Sequence, residues 1–233
     1  LLNAGEYARL VNEVYANAGR GALFSESEIA GFGAGTDWQD QVFRDAPVQN
    51  YDLSVSGGSD RTRYFVSGSL LRNEGTVIGS SFDRGAFRLN LDQDVSERFR
   101  LGNRLTFSRS TSEIIANSGS GGDAASVVIA ALRAAPILSP RDSAGGFFRG
   151  NDPVTGRPFA NPVAQAELIT NREMQNRVLG NLFGEYDVLE GLKARVSLGM
   201  DYVQSQQKYF SPRTVLPGSR VGGEARRGDA QTT

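Results

Sequence analysis

The chain has 233 residues, 25 Lys and Arg against 26 Asp and Glu, and neither histidine nor cysteine. Thiolate nucleophiles, Ser-His-Asp triads and the usual zinc sites are therefore excluded within it, and the near-neutral balance gives no support for nucleic-acid binding. No apolar run approaches the roughly 20 residues that a membrane helix needs.

In chain order, residues 3–18 read as a helix. Asn3 is placed to cap it, with Glu6 three residues on as in a capping box. Tyr7, Leu10, Val11 and Val14 follow helical spacing and make one apolar stripe. Residues 19–35 are rich in Gly, Ala and Ser and read as loop with a helical turn at 25–30. Thr36-Asp37-Trp38-Gln39-Asp40 reads as a capped short helix leading into Val42 and Phe43.

Six candidate strands follow, at residues 50–56, 62–72, 84–95, 99–110, 176–188 and 193–206. Gly57-Gly58-Ser59-Asp60 is a turn signal between the first two. Short turns also fall at Ser96-Glu97-Arg98 and Glu190-Gly191. Residues 111–175 form a long excursion, with a Gly/Ser loop at 118–122 and a helix at 124–134 capped by Asp123. A second short helix begins at Asn161-Pro162 and runs through Leu168.

The strands alternate with period two, so each has an oily and a charged face. Phe87, Leu89, Leu91, Phe99, Phe107, Val178, Leu182, Tyr186, Val196, Leu198 and Tyr202 fall on one parity and are assigned to lipid. Arg88, Asp92, Arg100, Arg104, Glu185, Asp187, Arg195 and Asp201 fall on the other. Each alternating stretch is about ten residues long, enough to cross a bilayer at a tilt. The connections run short, long, short, very long, short, open-ended, which matches short periplasmic turns and long outer loops. The expected fold is all-β, a partial transmembrane antiparallel barrel of about six up-and-down strands, with short helices at the N-terminus and in a long extracellular loop.

These residues resemble a known family. Thr36-Asp37-Trp38-Gln39-Asp40, then Asn50 through Ser59 (NYDLSVSGGS), looks like the start of the barrel in SusC/RagA-type TonB-dependent outer-membrane transporters. Tyr64-Phe65-Val66-Ser67, Asn73-Glu74-Gly75, Arg88-Leu89-Asn90-Leu91-Asp92, Asn161-Pro162-Val163-Ala164-Gln165 and Glu190-Gly191-Leu192-Lys193 continue the likeness. Asn3-Ala4-Gly5-Glu6-Tyr7-Ala8 is similar to the stretch that follows the family's plug. The likeness divides the chain into a post-plug segment at 1–49, four strands at 50–110, the extracellular loop at 111–175, two strands at 176–206, and the start of a further loop at 207–233. The chain opens without Met and ends on a polar stretch, 218–233, read as lacking a strand, so the expectation is an internal stretch of a longer protein.

The resemblance implies import of oligosaccharides or peptides across a bacterial outer membrane. The implied partners are outer-membrane lipid, the TonB-ExbB-ExbD energy-coupling system acting through a plug, a SusD-like surface lipoprotein, and the glycan or peptide substrate. No cofactor is expected, and no residue is expected to perform bond chemistry.

Site candidates follow from the two faces. Arg88, Arg104, Arg195 and Asp201 are candidates for lumen-facing contacts, against the simpler reading of a self-neutralising hydrated wall. Phe147, Phe148 and Phe159 in the long loop are candidates for stacking on substrate, or equally for anchoring that loop. Asp142 and Asp152 lack the spacing of a calcium loop, and Gly119–Gly122 lacks the lysine of a phosphate loop. Two other readings use the same alternation. A soluble β-sandwich carbohydrate-binding or adhesin module would cover the oily face with a second sheet, and a passive porin would lack the plug.

Overall fold

The computed structural model describes residues 2–115, 126–216, 219 and 221–233. Its main element is one antiparallel sheet in chain order, β1 (Val48–Gly58), β2 (Thr62–Glu74), β3 (Ser81–Asp94), β4 (Phe99–Glu113), β5 (Thr170–Leu189), β6 (Leu192–Ser211) and β7 (Glu224–Thr232). The sheet is not closed, and β1 and β7 are its edges.

Seven strands stand where the sequence reading expected six. The extra one is β7, which pairs with the far half of β6 from Val203↔Thr232 to Ser211↔Glu224. Its residues, EARRGDAQT, carry no apolar alternation. Main-chain hydrogen bonding to β6 places it, and a polar strand beyond the membrane needs no oily face. Residues 207–233 are therefore the end of β6, a connection and a strand, rather than the start of a loop alone. The connection 212–223 continues the short-long alternation.

The hairpin turns step along the sheet. Gly58 pairs through Arg63 and Asp92 to Gly102, three residues inside the start of β4 at Phe99. Phe99 in turn pairs with Tyr186, three residues before the end of β5 at Leu189. A stagger of this kind, repeated at each hairpin, is what tilted strands need to close a cylinder.

Short helices gather at the long-loop end. α1 (Ala4–Asn17) begins with the expected capping box: Glu6 N donates to Asn3 Oδ1 at 2.8 Å and Asn3 N to Glu6 Oε2 at 3.0 Å. Its buried face differs from the expected stripe. Ala4, Ala8 and Val11 are buried, whereas Leu10 and Val14 are 49% and 58% exposed. Small residues at i, i+4 and i+7 let α1 approach its neighbours closely, and the larger side chains lie off that face. α2 (Glu26–Gly31) is capped by Ser25 with Glu28, and α3 (Trp38–Val42) by Asp37.

The long connection returns to this cluster through α4 (Val127–Arg133) and α5 (Pro162–Leu168). Ser126 caps α4, its hydroxyl accepting from Ile129 N at 3.3 Å. The expected Asp123 cap, the Ser118–Gly122 loop and the Gly119–Gly122 stretch lie outside the described residues. Trp38 and Val42 from α3, Val127 and Ala131 from α4, Val163 and Ala166 from α5, and Ile115 beyond β4 form one core. Val77 and Ile78 of the β2–β3 connection pack against it. Ile78 N donates to Val42 O at 2.9 Å, and the Arg44–Glu74 ion pair at 3.1 Å ties the segment before β1 to the end of β2.

Candidate functional site

Residues opposite each other in an antiparallel pair point to the same side, so the register fixes both faces. One row reads Leu53, Gly68, Phe87, Phe107, Val178, Tyr202 from β1 to β6. The next reads Val55, Val66, Leu89, Leu105, Gly180, Met200. This face is bare: Leu53, Val196 and Leu198 are 76%, 68% and 67% exposed. An apolar expanse of this size is foreign to a water-soluble surface. Among the described residues no second sheet covers it, as a sandwich would require.

The apolar stretch has a definite height. On β4 it spans residues 99–107, on β5 178–186 and on β6 194–202. Towards the long-loop end the same face turns polar, through Arg109, Asn176 and Gln204 in one row and Arg172 with Lys208 in another. Nine residues match a tilted bilayer crossing. β5 and β6 have 20 residues each, about 66 Å at roughly 3.3 Å per residue, so their far halves project beyond the membrane. Phe99 and Tyr186 pair near the turn end, and Phe87 pairs with Phe107 near the other, the placement of interfacial aromatic girdles.

The opposite face is charged and largely self-paired. Arg104 grips Asp92 through two hydrogen bonds from Nη2, 2.9 and 2.6 Å. Arg100 Nε reaches Asp94 at 2.8 Å, and Arg177 makes a fork to Asp201 at 2.8 and 2.6 Å. Lys193 lies 3.2 Å from Asp187 and 3.5 Å from Glu185, which is also 3.8 Å from Arg195. Of the four lumen candidates, Arg104, Arg195 and Asp201 thus sit in ion pairs. Arg88 has none among the described residues and lines a recess of about 460 Å³ with Ser54, Ser67 and Thr106.

Phe183 was not legible as a lumen residue. Its parity sets it among the charges, opposite Gly102. A Cβ on Gly102 would fall 2.2 Å from the Phe183 ring, so the ring lies on the bare glycine. The Arg195 guanidinium lies over the ring, 3.9 Å from its centroid. The signal in the sequence is an aromatic on the polar parity, readable only once the opposing glycine is known.

The long loop forms a second candidate region. Phe159 packs on Trp38 with ring centroids 5.3 Å apart, and Phe148 on Phe159 at 6.0 Å. Arg141 stands 4.5 Å over the Phe147 ring. All three phenylalanines pack against the helical core. Asp142 Oδ1 accepts from Ala144 N and Gly146 N, and Asp152 Oδ1 from Val154 N and Thr155 N, so each carboxylate closes a local turn. Asn161 Nδ2 donates to Pro140 O at 2.7 Å and Phe148 O at 3.3 Å, while its Oδ1 accepts from Val163 N and Ala164 N. One side chain therefore caps α5 and fixes two neighbouring loop segments.

Among the described residues outside the sheet, two groups titrate abnormally. Burial, with the Asp152 charge adding, raises the Tyr7 hydroxyl above the usual tyrosine range. The Ser25 backbone N–H, then its hydroxyl, hold the Glu28 carboxyl below the usual glutamate range. Among the described residues, no group of three or more acidic side chains converges as a metal site.

A staggered sheet with one bare apolar face of membrane height and one self-neutralised charged face is part of the wall of a transmembrane β-barrel. Relatives make the assignment narrower. The chain is 31% identical over 229 residues to TonB-dependent receptor P3 of Formosa agariphila, covering 97% of this chain and 21% of that protein. It is 27% identical over 194 residues to TonB-dependent receptor SusC of Bacteroides thetaiotaomicron, covering 75% of this chain and 19% of that protein. A chain in the structure of the RagAB peptide transporter superposes with a TM-score of 0.65 at 20% identity, covering 94% of this chain and 25% of that one. No family model matches the chain. The chain belongs to the TonB-dependent receptors, and it spans about a fifth of the length of the curated relatives it matches.

Proposed function

We propose that the protein to which this chain belongs imports oligosaccharides or peptides across a bacterial outer membrane. The observation that carries the reading is the opposition of the two faces over the same nine-residue height, oily outside and charged inside. Kinship with TonB-dependent receptors adds energy coupling by TonB-ExbB-ExbD through a plug and capture with a SusD-like lipoprotein. A peptide transporter among the similar structures keeps peptides beside glycans as cargo. The loops at the α1–α5 end face the medium, the three short turns face the periplasm, and no side chain of this chain makes or breaks a covalent bond.

Deletion of the gene tests this in the native bacterium. Uptake of fluorescent oligosaccharide or oligopeptide pools falls in the deletant, returns on complementation, and is abolished by a protonophore. Uptake that ignores the protonophore yet needs the gene makes the protein a passive porin. Uptake indifferent to the gene overturns the transport reading.

A further inference from the structure

A cleft of about 210 Å³ lies between the long β4–β5 connection and the β6–β7 connection. Phe148, Arg149 and Phe159 line it from one side, and Arg213, Thr214 and Ser219 from the other. Among the described residues no carboxylate lines it, and neither Arg149 nor Arg213 has an ion-pair partner. This sets the pair apart from the arginines of the charged face, most of which hold an acid.

Both walls are fixed before any ligand arrives. Asn161 holds the carbonyl of Phe148, and Phe159 N donates to Gly150 O at 3.0 Å. A Cβ on Gly150 would meet the Phe148 ring at 2.5 Å, so that glycine is required for the ring's seat. Opposite, Val215 is buried, Val215 N donates to Pro212 O at 3.2 Å, and Ser219 N donates to Val215 O at 2.8 Å. A preformed site loses little entropy on binding.

We propose that this cleft binds a carboxylate on the imported ligand, held by Arg149 and Arg213 with the Thr214 and Ser219 hydroxyls as further donors and the phenylalanine rings as an apolar floor. A guanidinium presents a planar fork that matches a carboxylate. The cleft stands at the end of the sheet assigned to the medium, so the inference rests on the transport reading and names its cargo: chains that carry an acid. A uronic acid of a glycan and the C-terminus of a peptide share this chemistry.

The test uses the full-length receptor in detergent and four probes: trigalacturonate, its methyl ester, N-acetyltrialanine, and N-acetyltrialanine amide. One acid binds about tenfold or more tightly than its neutral counterpart, and Arg149→Gln with Arg213→Gln removes that preference. The pair that shows the preference identifies glycan or peptide as the source. Equal binding of acid and neutral forms in both pairs overturns the proposal, as does a preference that survives both substitutions. If the glutamine variants do not fold, Arg149→Lys and Arg213→Lys keep the charge but lose the fork, and a reduced preference supports the site. Uptake that needs the gene but not the two arginines leaves transport standing without the cleft. Arginine-dependent acid binding with gene-independent uptake leaves the cleft standing without transport.

Discussion

Trp38 Nε1 donates a 3.0 Å hydrogen bond to the carbonyl of Ala135, 97 residues along the chain. The indole is 2% exposed and packs on Phe159. One side chain therefore joins the segment before the first strand to both halves of the long connection. Trp38→Ala is expected to destabilise this helical cluster by about 3–5 kcal/mol. Trp38→Phe keeps most of the packing but strands the Ala135 carbonyl, at about 1–3 kcal/mol. Hydrogen exchange of α3, α4 and α5 in the full-length receptor reads both. Unchanged protection in Trp38→Ala would refute the joining role.

On the charged face, a side chain at Gly102 would collide with the Phe183 ring. Gly102→Ala is expected to displace Phe183 and lower the thermal stability of the barrel. Pairing it with Phe183→Ala relieves the clash, so the double variant loses less than the sum of the two single changes. Additive losses would mean that the ring does not lie on the glycine.

Leu53 and Ser54 are neighbours on β1 that face opposite ways. Leu53→Arg is expected to cost about 2–4 kcal/mol in folding into lipid vesicles, near the value for a cation on a barrel's lipid face. Ser54→Arg, on the charged side, is expected to cost much less. Equal effects of the two would contradict the assignment of faces.

Glu28 supplies a pH dependence with a definite sign. Its folded-state pKa is depressed by Ser25, so its stabilisation of the α2 cap is complete above the usual glutamate pKa. It is lost as pH falls through the depressed value. Exchange of the Ser25 and Glu28 amides, corrected for intrinsic rate, should accelerate as pH falls through and below the usual glutamate range. Glu28→Gln should flatten that profile, and an identical profile in the variant would remove the carboxylate from the cap.

Expressed by itself, the chain leaves the far sides of β1 and β7 without strand partners and the face of Leu53 and Leu198 without lipid. It is expected to aggregate or to require detergent. Analytical ultracentrifugation without detergent decides this, and a monodisperse monomer at high concentration would count against the barrel wall.

The sequence by itself determined the spanning strands and their two faces. Period-two alternation is local: Phe87, Leu89 and Leu91 against Arg88, Asn90 and Asp92 need no partner to be read, and lipid outside with water inside forces the pattern. The Asn3–Glu6 capping box was legible for the same reason, since its partners lie three residues apart. What the tertiary structure decided is what depends on distant partners. β7 exists because β6 offers it hydrogen bonds, with no apolar signal of its own. The buried face of α1 was set by the helices it meets, so Ala4 and Ala8 join the expected Val11 there while Leu10 and Val14 lie exposed. Phe183 lies on Gly102, and Trp38 holds Ala135, because closely packed side chains are chosen by the space across from them, which no local pattern records.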